Sequence, residues 1–264
     1  LPLFVIAQMM GMPVSDRSFI RSMAEKLLFI GRGDVDRMQP LTEGIKELME
    51  YLSPLVAEKV SQPVDENDLL SVLSSGEKSG VLTRDEVVAD AILLLLAGHE
   101  TTINLICNGT LAFTRHPEQW RLLKQNAFDA PDATVRATEE CLRYDPPVKS
   151  IQRLASEDVE MRGKLIKKDD RIRWFISSAN RDPEMFPDPD TFDINRYTDL
   201  HVAFGSGIHH CLGAMLARLE GQEAFKSLAE RLPNLRLDPQ EPEHVPSITF
   251  RSLKALQVSW IPAD

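Results

Sequence analysis

Residues 204–213 read FGSGIHHCLG, and this stretch constrains the chemistry of the chain more closely than any other. Its cysteine, Cys211, follows a loop that contains glycines and precedes a helix-like run, LGAMLARLEGQEAF. A thiolate at this position would lie at a helix N-terminus, where the helix dipole and free backbone N–H groups favour negative charge. Gly205 and Gly207 would let the loop turn tightly under a flat cofactor, and Gly213 would let the following helix approach that cofactor closely.

A thiolate in this setting is a good axial ligand for haem iron, since it donates electron density that favours O–O cleavage. The alternative is a small buried hydrophobe, which is the commoner role of a free cysteine. The whole string fits the pattern FGxGxHxCxG and resembles the haem-binding loop of the cytochrome P450 family. The resemblance implies that Cys211 is the proximal iron ligand, that Phe204 packs beside it, and that His209 lies near a haem propionate.

A second motif, AGHETT, begins at Ala97 in a long helical pattern. Ala97 and Gly98 leave room for a flat ligand against the backbone, and Glu100 and Thr101 supply an acid and an alcohol that can relay protons. A buried helix with an exposed glutamate is the alternative. The zinc motif HExxH is excluded, because Ile103 stands where its second histidine would be. The motif resembles the oxygen-activating helix of the same family, which implies Thr101 beside the distal oxygen site and Glu100 in proton delivery.

The third motif is Glu140-Cys141-Leu142-Arg143, in which the acid and the base share one helix face. Such pairs are common on surfaces and contribute little there. This one lies between the distal helix and the Cys211 loop, as it does in the cytochrome P450 family. The resemblance implies that Glu140 and Arg143 are buried, joined by Arg196, and hold the cysteine loop in place.

The resemblance also assigns residues outside the motifs. Arg153 matches the position that pairs with a haem propionate, although an ordinary strand arginine is the alternative. The segments that line the substrate cavity in the family match apolar positions, for which core packing is an equally good account: Leu93, Ala97, Val148, Ile151, Thr249 and Phe250. Cys107 and Cys141 are expected to be packed thiols.

Composition narrows the function classes. The chain has 264 residues and a net charge of −10, so neither nucleic acid nor an anionic membrane is an expected partner. Three cysteines without a CxxC pair indicate neither a disulfide framework nor a zinc site, and they suit a reducing cytoplasm. The longest apolar run, AILLLLAG at 91–98, is too short to span a bilayer, which needs about 20 residues.

The apolar spacing predicts a mainly α protein with small β-sheets. The expected helices are 16–30, 36–60, 69–73, 83–115, 117–126, 131–144 and the run that follows Cys211. The expected strands are 159–162, 165–167, 171–176, 235–237 and 256–260. Gly76 to Gly80 is expected to be a turn, and Thr83 with Glu86 forms a capping-box signature.

The resemblance covers essentially the whole chain, and the three motifs occur in the family's order. It implies a cytochrome P450-like haem-thiolate fold over residues 1–264. The opening LPLFVIAQMMGMP resembles a segment well inside bacterial members, so the domain is expected to be partial and to lack the N-terminal region.

The function that the resemblance implies is that of a soluble, bacterial-type monooxygenase. Its cofactor is haem b (iron protoporphyrin IX), its electron donor a ferredoxin or flavoprotein, and its substrates O2 and an apolar small molecule. Two alternatives remain open. One is a haem enzyme that uses peroxide directly, although such relatives often lose the acid–alcohol pair. The other is a truncated, non-catalytic relative that binds a partner protein.

Overall fold

Helices form most of the chain. The computed structural model describes residues 1–27, 38–127, 130, 132–196, 200–232 and 234–260. The α-helices are α1 Pro2–Met9, α2 Arg17–Leu27, α3 Met38–Ser61, α4 Leu69–Lys78, α5 Arg84–Arg115, α6 Pro117–Asn126, α7 Ala133–Tyr144, α8 Ile176–Ala179 and α9 Ala214–Arg231. The strands are β1 Ser150–Leu154, β2 Val159–Met161, β3 Lys164–Ile166, β4 Arg171–Phe175, β5 Arg236–Leu237 and β6 Val258–Ser259. The prediction of a mainly α fold with small sheets is confirmed.

Three of the expected helices touch residues that the structure does not describe. The expected end of the 16–30 helix and the expected start of the 36–60 helix lie outside the described residues, as does Pro131. Within the described part, α3 continues through Pro54. Pro40 stands in the first turn of α3, where a missing backbone N–H is tolerated.

The expected turn at residues 76–80 is wrong at its start. α4 does not stop at Leu73 but continues through Gly76 to Lys78. Asp68 caps the start of α4, since its carboxylate accepts a hydrogen bond from the Ser71 backbone N–H at 3.0 Å. A helix with a satisfied N-terminus tolerates an interior glycine at a cost of about 1 kcal/mol, so Gly76 does not end it.

The long helix α5 begins at the predicted capping box. The Glu86 carboxylate accepts a hydrogen bond from the Thr83 backbone N–H at 2.7 Å, and the Glu86 N–H donates to the Thr83 hydroxyl at 3.3 Å. By length and composition α5 could also cross a membrane, a property that core helices of soluble proteins share. The structure buries several of its apolar side chains: Val87, Val88, Ala91, Leu95, Leu105, Leu111 and Phe113.

The chain divides into two compact units, Leu1–Ile103 and Asn104–Asp264, and α5 belongs to both. The first unit consists of α1 to α4 and the N-terminal half of α5. Within it α1 packs against α2, α2 against α3, and α3 against α4. Its core is made of aliphatic side chains and methionines, among them Met10, Leu48, Leu52, Val56, Leu70 and Val87.

The second unit contains the rest of α5, helices α6 to α9 and all the described strands. Helices α6, α7 and α9 pack against one another. Phe113 of α5 lies at the centre of an aromatic core, with its ring centroid 5.2 to 5.6 Å from those of Phe192, Trp120 and Phe225. Helix α7 carries the third motif, α9 follows Cys211, and the two helices are in direct contact.

Three two-stranded antiparallel sheets complete the second unit: β1 with β4, β2 with β3, and β5 with β6. The strands near 159, 165, 171, 235 and 256 are confirmed. β1 was not predicted as a strand. It pairs with β4 so that Arg153 stands opposite Ile172 and Ile151 opposite Trp174.

Candidate functional site

The cysteine loop closes on itself just before α9. The Cys211 backbone N–H donates a hydrogen bond to the Phe204 carbonyl oxygen at 2.9 Å, which joins the two ends of the motif. Gly205 and Gly207 have φ angles of +73° and +68°, values that L side chains rarely adopt. A single 3₁₀ turn, Gly207–His209, begins at the second glycine and ends two residues before the cysteine. The sequence therefore folds this loop as its glycines predict.

The surface around Cys211 is open and apolar. Cys211 is exposed, and so are Ile208, Leu212 and Met215, at 99%, 89% and 77% respectively. A Cβ built on Gly213 would meet no atom of the described residues within 4 Å. Large exposed apolar side chains beside one thiol form a face that a flat apolar group would cover. A haem fits these residues, since the thiol is a suitable iron ligand and the apolar side chains suit the macrocycle.

A polar cluster on α7 and α9 lies next to Phe204. The guanidinium carbon of Arg218, on α9, lies 4.4 Å from the centroid of the Phe204 ring. Arg218 donates to both oxygens of Glu139, at 2.7 and 3.2 Å, and His201 Nε2 lies 2.9 Å from Glu139 Oε2. Sequence reasoning missed Glu139, His201 and Arg218. Two features of the sequence could have indicated them: a second acid next to Glu140, and a basic residue on each side of the cysteine loop.

Burial alone would raise the pKa of the Glu139 carboxyl. Hydrogen bonds from His201 and Arg218, with the positive charge of the arginine, instead hold that pKa below its usual range. Glu139 is therefore an anion within the second unit, and its charge is balanced by the Arg218 guanidinium.

Glu140, Arg143 and Arg196 meet in the interior of the second unit. The side chains of Glu140 and Arg143 are fully buried and joined at 2.7 Å. Arg196 Nε lies 3.6 Å from Glu140 Oε1, and the Arg196 side chain is 12% exposed. The Asp193 backbone N–H also donates to Glu140, at 2.9 Å. The structure thus brings together the three residues of the expected structural network and ties them to the segment that precedes the cysteine loop.

Arg153 lies on the exposed part of β1, where its Nη1 donates to the Gln152 carbonyl oxygen at 2.9 Å. The expected substrate-lining residues of this unit lie close together in the backbone. Val148 forms an isolated antiparallel bridge with Phe250, and the Lys149 N–H donates to the Thr249 carbonyl oxygen at 2.7 Å. Ile151 follows on β1, two residues after Lys149. These four side chains are all partly buried: Val148, Ile151, Thr249 and Phe250.

The AGHETT motif lies on α5 in the first unit. Ala97 and Leu93 are exposed there, and Leu93 retains 61% of its surface. The Thr101 hydroxyl donates to the Ala97 carbonyl oxygen at 2.7 Å, so its proton is engaged while its oxygen can still accept. Glu100 and Gly98 are partly buried. A Cβ built on Gly98 would stand 3.2 Å from Ile6 Cγ1, so α1 lies close to one side of this glycine.

Comparison with known proteins matches residues 132–260 to the family model described as Cytochrome P450. The chain is 40% identical over 261 residues to a biotin biosynthesis cytochrome P450 of Bacillus subtilis, with 97% of this chain and 64% of the relative covered. It is 42% identical to the cytochrome P450 monooxygenase PikC of Streptomyces venezuelae, with 98% of this chain and 61% of the relative covered.

Among solved structures, the chain resembles CYP109E1 from Bacillus megaterium in complex with corticosterone. The TM-score is 0.86 at 34% identity, and the match covers 98% of this chain and 69% of that one. The resemblance therefore extends through both units and includes all three motifs. The chain spans about 64% of the length of the first curated relative.

Proposed function

The chain belongs to the cytochrome P450 family, and from this premise we propose that it acts as a haem-thiolate monooxygenase, which activates O2 and oxidises an apolar small molecule. The observation that carries the proposal is the exposed Cys211 thiol, which lies just before α9 beside several exposed apolar side chains. The match over 98% of the chain supports residues 1–264 as part of one cytochrome P450 domain.

Haem b is the proposed cofactor, and when bound it supplies the oxygen chemistry of the reaction. Cys211 would ligate its iron as a thiolate. The remaining proposed haem contacts are Ala97, Gly98, Arg153, Phe204, Gly205, His209 and Gly213. In this set Arg153 and His209 supply cationic or hydrogen-bonding groups for the propionates, and the glycines leave space for the ring.

Thr101 and Glu100 are the proposed proton-handling residues. Since the Thr101 hydroxyl donates to Ala97, its oxygen lone pairs remain to accept a hydrogen bond from a bound species. Glu100, the next residue toward the N-terminus of α5, would bring protons to the site from solvent. The two residues therefore have different proposed roles. Thr101 would hold a proton donor in place, and Glu100 would supply the next proton.

Electrons would come from a ferredoxin or flavoprotein, as the chemistry of O2 activation requires an external reductant. The corticosterone bound by CYP109E1 supports an apolar substrate class, as do the apolar side chains at Leu93, Val148, Ile151 and Phe250. Net charge −10 and three cysteines that remain free support a cytoplasmic location without nucleic acid or membrane as partner.

The test is the absorption spectrum of the purified chain, reconstituted with haem, reduced and exposed to carbon monoxide. We expect a strongly red-shifted Soret band, which reports thiolate ligation. Cys211→Ser should abolish this band, whereas Cys107→Ser, at a partly buried cysteine of α5, should keep it. Absence of the band in the unmodified chain, or its persistence in Cys211→Ser, would overturn the proposal.

A further inference from the structure

One carboxylate, that of Glu139 on α7, contacts chain on both sides of the cysteine loop. After the loop in the sequence, which we call its far side, Glu139 binds the guanidinium of Arg218, seven residues after Cys211 on α9. Before the loop, its near side, Glu139 binds the imidazole of His201, three residues before Phe204. The side chains are largely shielded, with 11% of Glu139 and 2% of His201 exposed. A residue shortly before the loop and a residue shortly after it therefore bind the same carboxylate.

The near-side contact has a defined chemistry. The Ala203 backbone N–H donates to His201 Nδ1 at 3.2 Å, so this ring nitrogen is the acceptor. The other ring nitrogen, Nε2, is then the donor to Glu139, at 2.9 Å. His201 thus connects the Glu139 carboxylate to the backbone N–H of Ala203, the residue just before Phe204.

The far-side contact reaches Phe204 by a different route. Arg218 uses two donors on Glu139 and at the same time places its guanidinium 4.4 Å from the Phe204 ring centroid. A bidentate arginine is planar and rigid, so its position over the ring is fixed by the carboxylate. Phe204 is joined to Cys211 through its carbonyl oxygen, which accepts the cysteine N–H.

We propose that Glu139 is a positioning residue for Cys211: its carboxylate clamps both ends of the loop, and through Phe204 it fixes the backbone that carries the thiolate. This inference rests on the proposed function only where the thiolate is said to bind iron. It assigns Glu139 a task separate from that of its neighbour Glu140, which binds Arg143 and the segment before the loop.

A purely structural ion pair between α7 and α9 would predict a different outcome. Such a pair would lower the global free energy of unfolding when broken and leave the local exchange of the loop unchanged relative to other amides. A clamp acts locally. Its loss should speed the opening of the loop more than it speeds the opening of the α5, α7 and α9 core.

The first experiment uses the 264-residue chain without added haem and measures backbone hydrogen exchange. Glu139→Gln keeps the size of the side chain and removes its charge, and Glu223→Gln on the exposed face of α9 is the matched control. We expect the Ala203 and Cys211 amides to exchange about tenfold faster in Glu139→Gln, with core amides of Phe113 and Leu123 changed less. Equal exchange in Glu139→Gln and Glu223→Gln would overturn the proposal.

A double variant tests whether Glu139 and Arg218 act together as one clamp or make two independent contacts. If Glu139 and Arg218 act as one unit, Glu139→Gln combined with Arg218→Gln should speed exchange no more than Glu139→Gln alone. Arg218→Lys keeps the charge but loses the planar, two-point contact, so it should speed exchange of the Cys211 amide as Arg218→Gln does. Additive effects in the double variant, or full protection in Arg218→Lys, would contradict the clamp.

A second readout uses the chain reconstituted with haem, reduced and exposed to carbon monoxide. In Glu139→Gln the red-shifted Soret band should form but decay about tenfold faster than in Glu223→Gln, as the thiolate leaves the iron. An unmodified chain without this band would overturn the proposed function, while the exchange measurement would still decide the role of Glu139. A band of equal lifetime in both variants would overturn the inference alone.

Discussion

Arg143 and Glu140 form a two-point ion pair in which both side chains are fully buried. Arg143 Nε and Nη2 donate to the two carboxylate oxygens of Glu140 at 2.7 and 2.8 Å. The other donors of the guanidinium bind the carbonyl oxygens of Asn180, Pro189 and Thr191, at 2.8 to 3.1 Å. All five N–H groups of the arginine are therefore paired, which is the condition under which a buried charge is tolerated.

Arg143→Lys should destabilise the second unit strongly. Lysine has three donors in place of five and no planar fork, so it would leave buried carbonyl groups and part of Glu140 unpaired. We expect a loss of about 3–5 kcal/mol in the free energy of unfolding, measured by urea denaturation. Arg136→Lys is the matched control on the same helix, because its partner Asp132 is exposed, and it should change stability by less than about 0.5 kcal/mol. Equal losses in the two variants would contradict this account.

Local sequence rules placed several elements well. The capping box at Thr83 and Glu86 marks the start of α5, and Pro117 marks that of α6. The spacing of Glu140 and Arg143 predicts that they share one helix face, and in the structure their side chains are paired. In each case the relevant partners lie within a few residues of one another, so periodicity and capping chemistry are sufficient.

Contacts between distant segments could not be predicted in this way. Glu139 lies 62 residues before His201 and 79 before Arg218, and no local pattern links them. β1 was not predicted because three of the five residues of Ser150–Leu154 are polar, and the segment becomes a strand by pairing with β4. The helix α4 continued past Leu73 because its N-terminal cap and packing outweighed the glycine at 76.

Gly109→Ala should destabilise the packing of α5 against α9. A Cβ on Gly109 would overlap the Phe225 ring and stand 2.9 Å from Cys141 Sγ, in a core that has little space to yield. Overpacking of this kind costs roughly 1–3 kcal/mol, outweighing the helix propensity gained by alanine. Gly213→Ala, where a Cβ meets no described atom within 4 Å, is the control and should leave thermal unfolding of the haem-free chain nearly unchanged. A stabilised Gly109→Ala would show that the core yields easily.

His99 should make the first unit sensitive to acid. Its Nδ1 is buried and has no hydrogen-bond partner among the described residues. Burial lowers the pKa of His99 to about 4 from its usual 6.5. Well above pH 6.5 the imidazole is neutral in both the folded and the unfolded state and does not affect stability. As the pH falls toward 4, the unfolded state takes up the proton first, so the free energy of unfolding drops by roughly 1–3 kcal/mol.

His99→Phe removes the titrating group and should flatten this part of the stability profile. The measurement is the difference in unfolding free energy between the unmodified chain and the variant, followed from pH 7 to pH 4 by urea denaturation. The difference should change in favour of the variant as the pH falls. A difference that stays constant across this range would show that His99 is protonated equally in both states.

Thr101→Ala should uncouple electron consumption from product formation in the haem-loaded chain. The variant loses the hydroxyl oxygen that accepts a hydrogen bond at the proposed oxygen site, so protons would no longer be delivered to the correct atom. We expect product per electron to fall by at least about tenfold while reductant is still consumed. Thr110→Ala is the matched control. Thr110 lies nine residues later on α5 and makes the same kind of bond, donating to the Ile106 carbonyl oxygen at 2.7 Å. If both variants kept the coupling of the unmodified chain, Thr101 would be a helix residue like Thr110, and the proton-handling role would belong elsewhere.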